Sequence, residues 1–242
     1  MPISDFFTEE ANLFNGDKTK ITIKNLLNHT SGLTWDGYTE HVEFSNSLSP
    51  VKYVLGKELE AIPGEKYNYN SGGTHLISYI LTKITGKTTL EFANEVFFNP
   101  MHFESVEWLK LKDGVCDGAG FGLKLDPKDL IKIGNLFLSN GNFNNQRILS
   151  EKWIRKSFDE SQKLKTKWGF RNSSHGYGWY SALSSNNEIL YSMGYGGQFI
   201  FIIPSTKLVI VSAHNADTPN EIEQQVDFIS ETLPKIITKF GD

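Results

Sequence analysis

Three short apolar runs near the C-terminus, followed by one long amphipathic segment, leave this chain few architectures. Ile189 to Ser192, Phe199 to Ile203 and Leu208 to Ala213 are rich in β-branched and aromatic residues, which suit the pleated, crowded surface of a strand. Gly-rich and Ser-Thr-Lys turns separate them, short enough for antiparallel neighbours. From Thr218 through Pro219 and Glu221 to Phe240, a capped helix is predicted with Ile222, Val226, Ile229, Leu233, Ile236 and Ile237 on one side. A sheet with an apolar face needs such a cover.

The preceding half reads as helices with explicit start and stop signals. Thr22 can cap a short helix through Leu26 and Leu27, with Gly32 as a left-handed stop. Pro63-Gly64 marks a turn, after which Leu76, Ile77, Ile80, Leu81 and Ile84 recur at helical spacing until Gly86. Thr88 and Glu91 form a capping box for a helix to Phe98, ended by Pro100. Asp126-Pro127 opens another, with Ile131, Leu136 and Leu138 as its apolar side and Asn140-Gly141 as its close. Ser150 caps the run EKWIRKSF. Helices, then an antiparallel sheet, then a covering helix describe an α+β fold. No repeat or linker divides the chain, so one domain is expected over 1–242, with a helical region at about 20–160 and a sheet and helix at about 175–242.

With 242 residues, 39% of them apolar, the chain can bury a real core. A net charge of −4 offers no clustered cationic face for nucleic acid. Cys116 is the single cysteine, so no intrachain disulfide is possible. No apolar run approaches the roughly 20 residues that span a bilayer. The N-terminus MPISDFFTEE lacks the basic and apolar regions of a signal peptide. As written the chain is expected in the cytoplasm, although a longer parent could be exported. His75, His102, His175 and His214 are scattered without ligand spacing, so no metal or other cofactor is expected.

Several residues could carry chemistry. Tyr69, in YNYNS, is a weak base near its ordinary pKa unless a cation or hydrogen bond helps it; it could equally fill a half-buried slot before a helix. Gly194-Tyr195-Gly196-Gly197-Gln198 enters the strand FIFIIP, where glycines let the backbone approach a bound acyl group and a strand-edge N–H can face a developing oxyanion. The same pattern is also an ordinary turn before a strand. Because no helix follows it, a nicotinamide site is disfavoured. His29 lies beside Thr30-Ser31-Gly32, where a packing role is expected. Trp35 and Tyr38, on the loop beyond, could form a stacking wall for substrate. Ser49-Pro50-Val51-Lys52 is a literal S-x-x-K, with Ser49 as a helix cap and Lys52 one turn on. A motif that fixes only two residues also arises by chance.

Ile21 to Leu33 (ITIKNLLNHTSGL), Pro63 to Gly86 and Tyr191 to Pro204 resemble the serine β-lactamase-related superfamily of class C β-lactamases, D-Ala-D-Ala carboxypeptidases and esterases. Gly118 to Trp153 and His175 to Tyr180 extend the resemblance over nearly the whole chain. It implies a β-lactamase/transpeptidase-like fold, with an antiparallel sheet flanked by helices beside a helical region. It implies an acyl-serine hydrolase acting on an ester, amide or β-lactam, with a small-molecule or peptide-like substrate. Tyr69 falls at the tyrosine of the Y-x-N motif, which relays the nucleophile's proton. Ser71 stands in the third place of that motif, a departure that puts β-lactam turnover in doubt. Tyr195 would give one oxyanion N–H, with Gly194, Gly196 and Gly197 lining the acyl group.

In that family the S-x-x-K serine and lysine precede the ITIKNLLNHTSGL-like segment, whereas Ser49 and Lys52 follow it. The first sheet strands and the nucleophile helix are therefore expected to be missing. Three possibilities follow: a truncated hydrolase inactive alone, a non-catalytic binding module for peptidoglycan-like or acyl ligands, or an enzyme using Ser49 and Lys52. An open sheet edge would invite a complementing N-terminal segment or self-association.

Overall fold

Local caps set the first half of the fold. The computed structural model describes residues 1–118, 121–159, 161–166, 169–184, 186–215 and 217–240, with the side chain of Tyr38 outside that description. The chain divides into two compact units, Met1–Lys124 and Leu125–Asp242.

In the first unit, Thr22 Oγ1 accepts from the Asn25 N–H at 3.2 Å while Asn25 Oδ1 accepts from the Thr22 N–H at 2.9 Å, starting α1 (Ile23–Leu27). Next come α2 (Gly37–Asn46), α3 (Pro50–Leu55), α4 (Ser71–Thr85) and α5 (Thr89–Ala93). The Thr88–Glu91 capping box forms, and α5 continues into a wide π turn at Asn94–Phe98. Gly86 closes α4 in the left-handed conformation, φ 68°. Leu26, Trp35, Phe44, Val54 and Leu76 make one core, joined by Ile3 and Phe7 from the N-terminus. That N-terminal stretch forms short 3-10 turns, Ile3–Phe6 among them. Gly72 lets α4 approach this core closely, since a Cβ there would stand 2.5 Å from Val54 Cγ2 and 2.6 Å from Trp35 Cζ3.

A short ribbon, β1 (Val106–Trp108) with β2 (Leu123–Leu125), comes near the boundary between the units. The second unit carries α6 (Pro127–Leu138), the hairpin β3 (Asn142–Phe143) and β4 (Gln146–Arg147), and α7 (Glu151–Asp159). Asp126 Oδ1 accepts from the Lys128 N–H at 2.8 Å, with Pro127 in the first turn, and Ser150 Oγ accepts from the Trp153 N–H at 3.1 Å. The strands are β5 (Gln162–Lys165), β6 (Asn172–Gly176), β7 (Trp179–Ser184), β8 (Asn187–Gly194), β9 (Gln198–Ile203) and β10 (Leu208–Ser212). They form an antiparallel sheet in the order β10-β9-β8-β7-β6-β5.

From Phe199 to Ile203, β9 is apolar because both of its faces are covered. Phe199, Phe201 and Ile203 pack with Ile229, Leu233 and Ile237 of the C-terminal helix. Ile200 and Ile202 point the other way, toward Phe137 of α6 and Ile154 of α7. Alternation along a strand sends neighbours to opposite faces, so a continuous apolar run marks a strand buried on both.

Four local expectations change. The left-handed stop after α1 is His29, φ 53°, rather than Gly32. Ile131 is 42% exposed; α6 instead sets Gly134 against Val209 and buries Leu136 and Phe137. The C-terminal helix is not continuous, for α8 (Glu221–Asp227) passes through a π turn at Phe228–Thr232 into α9 (Leu233–Phe240). Its wider turn shifts the inward face by one position, leaving Val226 39% exposed and burying Gln225 in its place. The N-cap of α8 is Asn220, which makes no side-chain cap bond.

Candidate active site

The segment before α4 is tied down from both sides. His29 has a left-handed backbone, φ 53°, which turns the chain after α1 and aims its groups at the segment Tyr67 to Asn70. Its carbonyl accepts from the Asn68 N–H at 2.8 Å, and its Nδ1 accepts from the Asn70 N–H at 3.2 Å. Asn70 is buried and caps α4, its Oδ1 accepting from the Gly73 N–H at 2.8 Å. Tyr69 is held between these anchors, its ring 4.5 Å from the His29 imidazole. Burial pushes His29 down to about 4, the Asn70 contact opposing the shift, so the imidazole is neutral at pH 7 and keeps Nδ1 as an acceptor.

The Tyr69 side chain is 45% exposed, yet its hydroxyl sits in a dry environment. Desolvation raises the phenol pKa above its ordinary value; a hydrogen bond with Ser71 opposes the shift, and the Asp117 carboxylate adds to it. Ser71 is buried in the first turn of α4. Asp117 is fully buried beside His41, Nε2 to Oδ2 3.6 Å. Burial lowers the His41 pKa, Asp117 opposes that shift, and His75 reinforces it. His75 in turn meets Asp113 at 2.9 Å. A neutral phenol is thus the stable form of Tyr69, able to donate a hydrogen bond to a ligand oxygen.

The second candidate element is the β8–β9 turn. Gly194 pairs with Gln198, leaving Tyr195, Gly196 and Gly197 to reverse the chain, with φ of 78° at Gly196 and 86° at Gly197. Side chains other than hydrogen are disfavoured in that region. A Cβ on Gly197 would also stand 2.6 Å from His214 Nδ1. The Gly197 N–H donates to Gln225 Oε1 at 2.9 Å, and its carbonyl accepts from Ser212 Oγ at 3.1 Å. The Tyr195 hydroxyl donates to Glu221 Oε1 at 2.6 Å. Its ring therefore turns toward α8, and the residue is 63% exposed.

The remaining candidates fare differently. Ser49 and Lys52 are both exposed. Ser49 stands at the N-cap of α3 but makes no side-chain cap bond, so the expected cap is absent. Trp35 is a core residue, packed on Phe44 with ring centroids 5.7 Å apart, so its indole does not form the expected stacking wall. The Tyr38 side chain lies outside the described residues, as does part of the segment Gly118 to Trp153, at 119 and 120. Cys116 is buried. Among the described residues, no cluster of three or more His, Cys, Asp or Glu could hold a metal ion, and no helix is long and apolar enough to cross a membrane.

The family model described as Beta-lactamase matches residues 2–229. The chain belongs to the beta-lactamase family. Protein flp of Staphylococcus aureus is 32% identical over 92 residues, which are 37% of this chain and 18% of that protein. The chain thus spans under a fifth of the curated relative it matches there. A Bacillus anthracis structure described as a candidate 6-aminohexanoate-dimer hydrolase superposes with TM-score 0.78 at 20% identity, covering 100% of this chain and 67% of its own. A D-stereospecific amidohydrolase from Streptomyces sp. gives 0.65 at 16% identity, with 96% and 78% covered. These likenesses show a β-lactamase/transpeptidase-like fold for this beta-lactamase-family chain.

His29, Asn70, Asp117 and Gln225 were not singled out as site residues from sequence. His29 and Asn70 lie 41 positions apart, a separation no local pattern reports. Gln225 did carry a signal, as a polar residue four positions before Ile229.

Proposed function

We propose that this beta-lactamase-family chain supplies the proton-relay and oxyanion parts of an acyl-serine hydrolase site for an ester, amide or β-lactam. A serine Oγ would attack the substrate carbonyl and give its proton to Tyr69, which passes it to the leaving group. The Tyr195 N–H would stabilise the oxyanion, and water would then release the acyl group from the serine. The observation that carries the proposal is the anchoring of Tyr69 by His29 and Asn70, which presents a half-exposed phenol from a rigid backbone.

The same geometry bears on where the nucleophile would come from. Burial and the Asp117 carboxylate both disfavour the phenolate, so proton abstraction needs a cation beside Tyr69. Ser49 and Lys52 are exposed, and neither burial nor a mutual hydrogen bond activates them. Serine and lysine would therefore come from an S-x-x-K segment outside these residues, and the chain alone would not turn over substrate. Without the nucleophile such a site keeps only a small residual of its catalysis.

A non-catalytic binding module for acyl or peptidoglycan-like ligands is favoured by one observation, the stability of the neutral Tyr69 phenol as a hydrogen-bond donor. Labelling with a fluorescent penicillin separates the two. If an added S-x-x-K peptide restores labelling, and Tyr69→Phe abolishes it, the hydrolase proposal stands. Saturable binding of the penicillin that no peptide converts into labelling would favour the module. Absence of both would overturn each.

A further inference from the structure

The buried amide of Gln225 has no part in the chemistry proposed above. It is 1% exposed and occupies the inward row that otherwise holds Ile229, Leu233 and Ile237. A primary amide in such a place costs free energy unless its polar atoms are matched. Its oxygen accepts from the Gly197 N–H at 2.9 Å, and its nitrogen lies 3.5 Å from Met193 Sδ on β8. One side chain thus touches both limbs of the β8–β9 turn. Two further ties converge there, Ser212 Oγ on the Gly197 carbonyl at 3.1 Å and the Tyr195 hydroxyl on Glu221 at 2.6 Å.

Glycines at 196 and 197 allow this turn and also loosen it, since glycine has more conformational freedom to lose than any other residue. An oxyanion donor has to be aimed before reaction, because reorganising it later forfeits its advantage. We infer that Gln225 is a positioning residue that clamps the Tyr195-Gly196-Gly197 turn from α8 and so fixes the direction of the Tyr195 N–H. Ser212 acts on the same glycine from β10. The inference rests on the acyl-site proposal for Tyr195, and the clamp itself can be measured without it.

The π turn at Phe228–Thr232 belongs to the same device. It shifts the α8 face so that position 225, not 226, points inward. A regular helix would offer the turn a valine and no acceptor.

Amide exchange and ligand titration by NMR on the full chain test this. In Gln225→Leu the Gly197 amide should exchange about tenfold faster, the change expected for loss of one buried hydrogen bond, while Phe201 in β9 stays protected. The Tyr195 and Gly196 resonances should move, and the response of the Tyr195 amide to N-acetyl-D-alanine should need about tenfold more ligand. Gln225→Glu retains an acceptor oxygen and should recover most of both effects. Ser212→Ala approaches Gly197 from the other side and should shift both readouts in the same direction, even if Gln225→Leu folds poorly. Unchanged Gly197 exchange in Gln225→Leu and Ser212→Ala would overturn the clamp. Faster exchange with unchanged ligand response would overturn the positioning role. A wild-type Tyr195 amide that ignores N-acetyl-D-alanine would overturn the acyl-site proposal and the positioning role, leaving the clamp to the exchange data alone.

Discussion

His29 and Tyr69 have opposite relations to water, and each leads to a test. His29 is held at about 4 by burial, below its ordinary value, so as pH falls the unfolded chain takes up this proton first. Its contribution to stability is complete above about pH 6.5 and falls by about 3 kcal/mol by pH 4. Urea midpoints at neutral pH and near pH 4.5 should fall more steeply for wild type than for His29→Gln, which keeps a hydrogen-bonding side chain without the titration. Equal slopes would mean that His29 is not the titrating group. The Tyr69 phenol is raised above its ordinary value, by desolvation first and with the Asp117 carboxylate adding to it. Asp117→Asn should therefore lower its pKa, followed by ultraviolet titration against Tyr69→Phe. An unchanged or raised pKa would refute that electrostatic role. Sequence placed Tyr69 just before a helix, but the charge that acts on it lies 48 residues away in sequence, at Asp117.

At the level of elements, the local signals translated well and the packing-dependent ones did not. The Thr22, Thr88, Asp126 and Ser150 starts are all present, because a cap is decided by residues within one turn. Thr88→Ala should cost about 1 kcal/mol in urea denaturation, and a change within error would show that the α5 capping box is not stabilising. Ile131, Val226 and Trp35 went the other way for non-local reasons. A glycine face on α6, a π turn after α8 and the tight seat beside Gly72 decide them, and none has a periodic signature. At Gly72 the approach of α4 to Trp35 and Val54 leaves no room for a methyl group. Gly72→Ala should destabilise the chain by about 1–3 kcal/mol through overpacking; a neutral effect would mean that α4 can shift at little cost.

For the molecule as a whole, family membership and fold agree; Tyr69 lies in the first unit and the Gly194–Gly197 turn in the second. Its α+β class was legible from strand runs, caps and the covering helix because these are short-range patterns, whereas the β-lactamase-like fold was implied only by the family resemblance. Chemistry is a sharper matter, since it depends on one hydroxyl and its base. Ser49 has the spelling of a nucleophile motif but an exposed setting, with Lys52 exposed beside it. Treatment of the chain alone with a fluorophosphonate, followed by mass mapping of every serine, is the most direct test of the claim that it carries relay and oxyanion parts without an activated nucleophile. The expected result is no adduct on any serine, with Ser49 unmodified. Stoichiometric, Lys52-dependent modification of Ser49 would contradict it.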